Sequence, residues 1–145
     1  MKISFSLNEQ QVETEVDLHE TLLQLLRRRG MISVRYGSDS GETGAGAVLI
    51  DGKLTSTDCM LAAQIDGHDV LTVEWFNKPE LHPIQAAFVA TGAMQSGYST
   101  PAMILGTWEL LNRNPNPTEH EVREMLSGIL DRETAYVKPV EAVMR

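Results

Sequence analysis

The hydrophobic period of this chain changes once, and that change governs the architecture available to it. From Ile3 to Val16 apolar side chains alternate with polar ones, whereas past Asn77-Lys78-Pro79 they recur every three or four residues. The first pattern makes a half-buried sheet and the second makes amphipathic helices, so an α+β fold in two parts is expected. Ile3, Phe5 and Leu7, a turn at Asn8 to Gln10, and then Val12, Thr14 and Val16 read as a hairpin. Asp17 and Glu20 have capping-box spacing ahead of a helix carrying Leu22, Leu25 and Leu26 on one face, with Gly30 suited to a left-handed cap. Ala47 to Ile50 reads as a short strand, Asp51-Gly52 as a tight turn into Lys53-Leu54, and Asp66-Gly67 as a turn before a strand over Val70 to Val73.

In the second part Ile84, Ala87, Phe88 and Thr91 share a helix face that ends at Gly92. Thr100-Pro101 opens a further helix with Ile104, Leu105, Trp108 and Leu111 toward the core, and Asn114-Pro115 stops it. Thr118 and Glu121 form a capping box for Val122, Met125 and Leu126. Four short helices are expected to bundle. The boundary falls after Trp75, giving parts 1–76 and 77–145.

A chain of 145 residues, 42% of them hydrophobic, buries a core without staples. Its 20 acidic against 12 basic residues give a net charge of -8, which disfavours nucleic acid and anionic lipid as partners. The basic cluster Arg27-Arg28-Arg29 closes a predicted helix, where solvated cations suit the macrodipole. No apolar run resembles a signal peptide or reaches bilayer length, so the default location is cytoplasmic and no membrane is expected. The one cysteine, Cys59, supports neither an internal disulfide nor a cysteine-built metal site and is expected to be a small buried hydrophobe.

Chemistry is sparse. The loop Gly37-Ser38-Asp39-Ser40-Gly41-Glu42-Thr43-Gly44-Ala45-Gly46-Ala47 is punctuated by glycine like a phosphate cradle, yet no lysine follows its last glycine and it leads into a strand. His19, His68, His82 and His120 lack metal-ligand spacing and are expected at the solvated surface. Ser96, Ser99 and Ser127 sit in no nucleophile elbow. No catalytic or metal-binding residue is assigned. The residues by themselves describe an acidic two-part domain suited to binding a partner.

Several collinear phrases resemble the small iron-sulfur subunit of the molybdenum hydroxylases, the xanthine dehydrogenase and carbon monoxide dehydrogenase family. They include Val48-Leu49-Ile50-Asp51-Gly52-Lys53, Leu61-Ala62-Ala63-Gln64, Leu81-His82-Pro83-Ile84-Gln85, Gly92-Ala93-Met94-Gln95, Asn114-Pro115-Asn116-Pro117-Thr118 and Leu126-Ser127-Gly128. The resemblance spans nearly the whole chain and implies a β-grasp, plant-type ferredoxin-like domain followed by a four-helix domain, each built around a 2Fe-2S cluster. Plant-type ligation uses C-x4-C-x2-C and a distant fourth cysteine. Aligned with that pattern, this chain carries Ser38, Thr43, Gly46 and Asp58 in the first half and Ser96, Ser99, Asp131 and Glu133 in the second. None of them is cysteine.

Hydroxyls stay protonated where thiolates ionise on iron, and glycine offers no donor, so the resemblance implies a chain without its own cofactor. Cys59 stands one position beyond the aligned fourth ligand. Two carboxylates and two hydroxyls at the second locus could attract a hard cation, but such sites recruit more oxygens, so Asp131 and Glu133 are expected to pair with Arg132, Arg123 or water. The family further implies docking to a large molybdopterin-type subunit, with a flavin subunit as another partner, the molybdopterin-type cofactor belonging to the partner. Gln95 matches a position close to that cofactor at the subunit boundary, although amides also commonly finish helix ends. The alternatives are a 2Fe-2S electron-transfer subunit and a free-standing binding or regulatory module.

Overall fold

A computed structural model describes all 145 residues. Strands β1 (Lys2–Leu7) and β2 (Gln10–Glu15) form the expected hairpin, with Phe5 opposite Val12. Its turn places Asn8 and Glu9 at φ 51° and 68°, and asparagine tolerates this region because its side chain bonds locally. Here the bond is long-range in sequence: Asn8 Oδ1 accepts from the Thr72 amide at 2.8 Å, tying the turn to the chain that leaves the neighbouring strand at Leu71. Strands β3 (Ala47–Ile50) and β4 (Lys53–Ser56) pair through the Asp51-Gly52 turn, and β5 (Asp69–Leu71) lies between the hairpins, parallel to β1 and antiparallel to β3. The sheet order is β2-β1-β5-β3-β4. β5 is shorter than the expected strand because Val73–Phe76 tightens into a 3-10 turn.

Helix α1 (Leu22–Arg28) buries Leu22, Leu25 and Leu26 against one face of the sheet, and Gly30, at φ 89°, supplies the left-handed residue after its end. Its capping box is Thr21 with Gln24, not Asp17 with Glu20. The reason is tertiary. Thr21 bridges to Leu61 and the Leu22 amide donates to the Met60 carbonyl at 2.7 Å, which holds Thr21 itself extended, after a turn over residues 17–20. The adjacent arginines are also more engaged than a solvated cluster: Arg28 pairs with Glu20 at 2.5 Å, and Arg27 Nη1 donates to the Val34 carbonyl at 2.8 Å.

Alternation in β3 divides the interior. Val48 points into the core beneath α1, while Ala47 and Leu49 point into a second core made largely by helices. Those helices are α2 (Pro83–Thr91), α3 (Thr100–Arg113), α4 (Glu119–Ser127) and α5 (Val137–Met144). Thr118 and Glu121 form the expected box on α4, and Gly92 ends α2 at φ 68°. Two details differ from expectation. The N-cap of α3 is Ser99, one residue earlier than Thr100, and Leu110 is fully buried while the expected core residue Leu111 is only partly so. Helix α3 is covered on several sides, by β3, β4, α2 and α4, so its apolar surface exceeds a single stripe. No helix is long and apolar enough to cross a membrane.

His82 is not simply solvated. It caps α2, its Nδ1 accepting from the Ile84 amide at 3.3 Å, and its ring packs edge-on against Phe76 and Trp108 at 4.7 and 5.5 Å between centroids. Burial, with Lys78 nearby, pushes its pKa down. Capping needs a bare Nδ1, so the folded chain prefers neutral His82. This contribution is complete above the ordinary histidine pKa near 6.5 and is lost as pH falls through the lower folded value. A urea midpoint that drops between pH 7.5 and 5.5, and drops less in His82→Asn, is the expected result. The cap itself is worth about 1 kcal/mol.

Candidate functional site

The glycine loop closes on itself through polar side chains. Asp58, only 7% exposed, accepts from the Gly37 amide at 3.2 Å and from Ser56 Oγ at 3.0 Å. Ser38 Oγ accepts from the Gly41 amide at 2.9 Å and donates to Glu42 at 2.8 Å, while Ser40 donates to the same carboxylate. These hydroxyls, Ser40 first and then Ser38, hold the Glu42 carboxyl below the usual range. Gly46 is required by closeness. A Cβ there would stand 2.6 Å from the Arg35 carbonyl oxygen and 3.0 Å from Asp58 Oδ2.

Cys59 departs from expectation. It is exposed, because its Sγ turns outward over the loop to donate to the Asp39 carbonyl at 3.3 Å rather than into a core.

The second locus lies between the turn after α2 and the turn after α4. Glu133 Oε2 accepts from the Ser96 amide at 3.0 Å, and the Glu133 carbonyl accepts from Gln95 Nε2 at 2.9 Å. Asp131 stays within its own turn, accepting from the Glu133 and Thr134 amides at 3.2 and 3.3 Å and from the Thr134 hydroxyl. Ser99 is buried. Of the expected partners, arginine or water, no arginine pairs with either carboxylate: Arg123 binds Glu119 at 2.7 Å, and Asp131 and Glu133 accept from backbone amides, Asp131 also from the Thr134 hydroxyl. No three His, Cys, Asp or Glu side chains come together in a metal-holding group.

The two loci abut. Gly44, at φ 69°, packs directly on the Gly128 carbonyl and 3.1 Å from the Ile129 Cα by its Cβ position, and the Leu130 amide donates to the Thr43 carbonyl at 2.8 Å. Tyr98 donates its hydroxyl to the Tyr36 carbonyl, with the Arg35 guanidinium 5.8 Å from the Tyr98 ring centre. Of the residues aligned by resemblance, Gly46 and Asp58 meet in one loop and Ser96 and Glu133 meet in the other. Cross-loop bonds of this kind leave no sequence signal, since Tyr98 and Tyr36 stand 62 residues apart and Leu130 and Thr43 farther still.

Two polar loops lie back to back in this α+β chain, and comparison with known proteins gives it a family. The 2Fe-2S binding domain model matches residues 72–144. The small FeS subunit of nicotinate dehydrogenase from Eubacterium barkeri is 40% identical, over 97% of this chain and 91% of the relative. The nicotine 6-hydroxylase small subunit of Paenarthrobacter nicotinovorans is 38% identical, over 99% and 88%. Among solved structures, quinoline 2-oxidoreductase from Pseudomonas putida 86 superposes with a TM-score of 0.96 at 32% identity, covering 99% of this chain and 90% of that one. Aldehyde oxidoreductase from Desulfovibrio gigas superposes at 0.93 with 30% identity, but this chain spans only 16% of it. The chain belongs to the small iron-sulfur subunit family of the xanthine dehydrogenase-type molybdenum hydroxylases, with its ferredoxin-like α+β fold.

Family membership implies 2Fe-2S clusters, and the residues present do not fit them. The groups gathered at the two loci are hydroxyls, carboxylates and backbone groups with the one thiol of Cys59 over the first loop, whereas a 2Fe-2S cluster of this type takes four cysteine thiolates. In the first loop a side chain at position 46 would meet the Arg35 carbonyl oxygen and the Asp58 carboxylate, which the Gly37 amide holds.

Proposed function

We propose that this chain is a cluster-free structural subunit that docks to a large molybdopterin-type subunit of a xanthine dehydrogenase-type hydroxylase. The observation that carries the reading is the donor set: the single thiol, Cys59, is exposed and stands outside every aligned ligand position. Relatives named as small subunits support the docking half of the proposal. The occurrence of this fold within a much longer aldehyde oxidoreductase chain supports it too. A flavin subunit is a further proposed partner, any molybdopterin-type cofactor belongs to the partner, and the location proposed is cytoplasmic. The working units are 1–76 and 77–145, and Gln95, exposed at the second locus, is the residue proposed to reach the partner's cofactor.

The second reading, a 2Fe-2S electron-transfer subunit, is favoured by the relatives' own names, which carry iron-sulfur. Native purification followed by mass spectrometry of the associated chains separates subunit from free-standing module. An ultraviolet-visible spectrum of the isolated chain separates the two subunit readings: the proposal expects a large chain in the complex and no broad visible absorption from this polypeptide. A monomer without a large chain contradicts the docking half.

A further inference from the structure

One acidic residue grips the exposed turn after α2 at two points. Glu133 accepts the Ser96 amide on its side chain at 3.0 Å and the Gln95 side-chain amide on its own carbonyl at 2.9 Å, across 37 and 38 residues of sequence. The anchor is itself fixed. The Glu133 amide donates to Asp131 Oδ1 at 3.2 Å, the Asp131 amide donates to the Tyr136 hydroxyl at 2.9 Å, and that hydroxyl donates to the carbonyl of the buried Ile129 at 2.8 Å. A line of hydrogen bonds therefore runs from the helical core to Gln95.

We infer that Glu133 is a positioning residue for the partner-facing turn: it fixes Gln95 in one orientation before docking. Because a carbonyl oxygen accepts, the amide must present Nε2 to Glu133, which leaves Oε1 directed away and free. The group that Gln95 Oε1 meets on the partner is accordingly a hydrogen-bond donor, N–H or O–H. Preorganising an exposed amide removes ordering cost from association. This inference rests on the subunit reading for its partner, but the grip on the turn is measurable in the chain alone.

The test is nuclear magnetic resonance on the full chain, comparing wild type, Glu133→Ala, Glu133→Gln and the remote control Glu119→Gln. In Glu133→Ala the Ser96 amide is expected to exchange roughly tenfold faster, the scale of losing one hydrogen bond to a charged acceptor; the variant keeps the backbone carbonyl that Gln95 Nε2 meets, so the Gln95 side-chain resonances move through release of the turn that carries it. Glu133→Gln keeps an oxygen for Ser96 and restores both signals, while Glu119→Gln changes neither. Unchanged exchange in Glu133→Ala, or no rescue by Glu133→Gln, overturns the inference. The same variants, tagged and recovered as the native complex, report on docking. Reduced recovery of the large chain with Glu133→Ala and normal recovery with Glu133→Gln supports the positioning role. Equal recovery with all variants overturns that role while leaving the subunit reading intact, and no large chain even with wild type overturns both.

Discussion

Gly44→Ala is expected to destabilise the fold by about 2–5 kcal/mol, the sum of a left-handed alanine and a forced core contact. At φ 69° the backbone is one that L side chains adopt only with strain, and here there is no room either. The added methyl would fall on the Gly128 carbonyl and stand 3.1 Å from the Ile129 Cα, both backbone atoms of the opposing turn. Backbone yields less readily than a side-chain tip. The neighbouring bond from the Leu130 amide to the Thr43 carbonyl is the one that must lengthen. Urea unfolding should therefore show the lower stability, and amide exchange should place the loss of protection at Leu130. A variant within 0.5 kcal/mol of wild type, judged against ordinary surface substitutions, would mean that the two loops do not meet at this point.

Gly46→Cys is the second substitution with a large expected cost, about 1–3 kcal/mol by overpacking. It restores the residue type that plant-type ligation places there, so a loop still shaped for sulfur should accept it. In this chain the new Cβ would lie 2.6 Å from the Arg35 carbonyl oxygen, 3.0 Å from Asp58 Oδ2 and 3.2 Å from Thr57 Oγ1. The Asp58 carboxylate is held by the Gly37 amide and Ser56 Oγ, so making space on its side breaks hydrogen bonds. Calorimetry of Gly46→Cys beside Gly46→Ala tests this directly. Both should lose stability, since the obstacle meets the Cβ before it meets the sulfur. An unchanged or raised melting temperature in the cysteine variant would indicate a loop that keeps room for a thiolate.

Much of the fold was legible because its signals are local. The hairpin follows from alternation through Ile3, Phe5 and Leu7, the β3–β4 turn from Asp51-Gly52, and the start of α4 from Thr118 with Glu121, whose carboxylate accepts the Thr118 amide at 2.7 Å. Errors arose where distant chain decided a local matter. Asp17 and Glu20 have the right spacing for a box, but the Thr21–Leu61 bridge moves the helix start and Arg28 takes Glu20. Leu110 rather than Leu111 enters the core because α3 is covered on several sides.

The site was legible in the same partial way. Sequence alignment to the plant-type pattern located Gly46, Asp58, Ser96 and Glu133, but it offered no view of the bonds among them. For Asp131 and Glu133 the sequence suggests arginine or water as partners, because charge and solvent are what a pattern of residues marks. Their partners are mainly backbone amides, which every residue carries and no pattern marks, with the Thr134 hydroxyl added at Asp131. Cys59 was expected inside on residue type alone, and a single bond to the Asp39 carbonyl keeps it at the surface.

The central claim is that the shape of an iron-sulfur subunit persists here on oxygen and backbone hydrogen bonds instead of thiolates. Its most direct test is iron and acid-labile sulfide analysis of the isolated polypeptide after anaerobic expression with cluster-assembly proteins supplied. The expected result is a folded, colourless chain with neither element above background. Iron and sulfide in the equal amounts of a 2Fe-2S centre, bound to this polypeptide and lost on its unfolding, would contradict it.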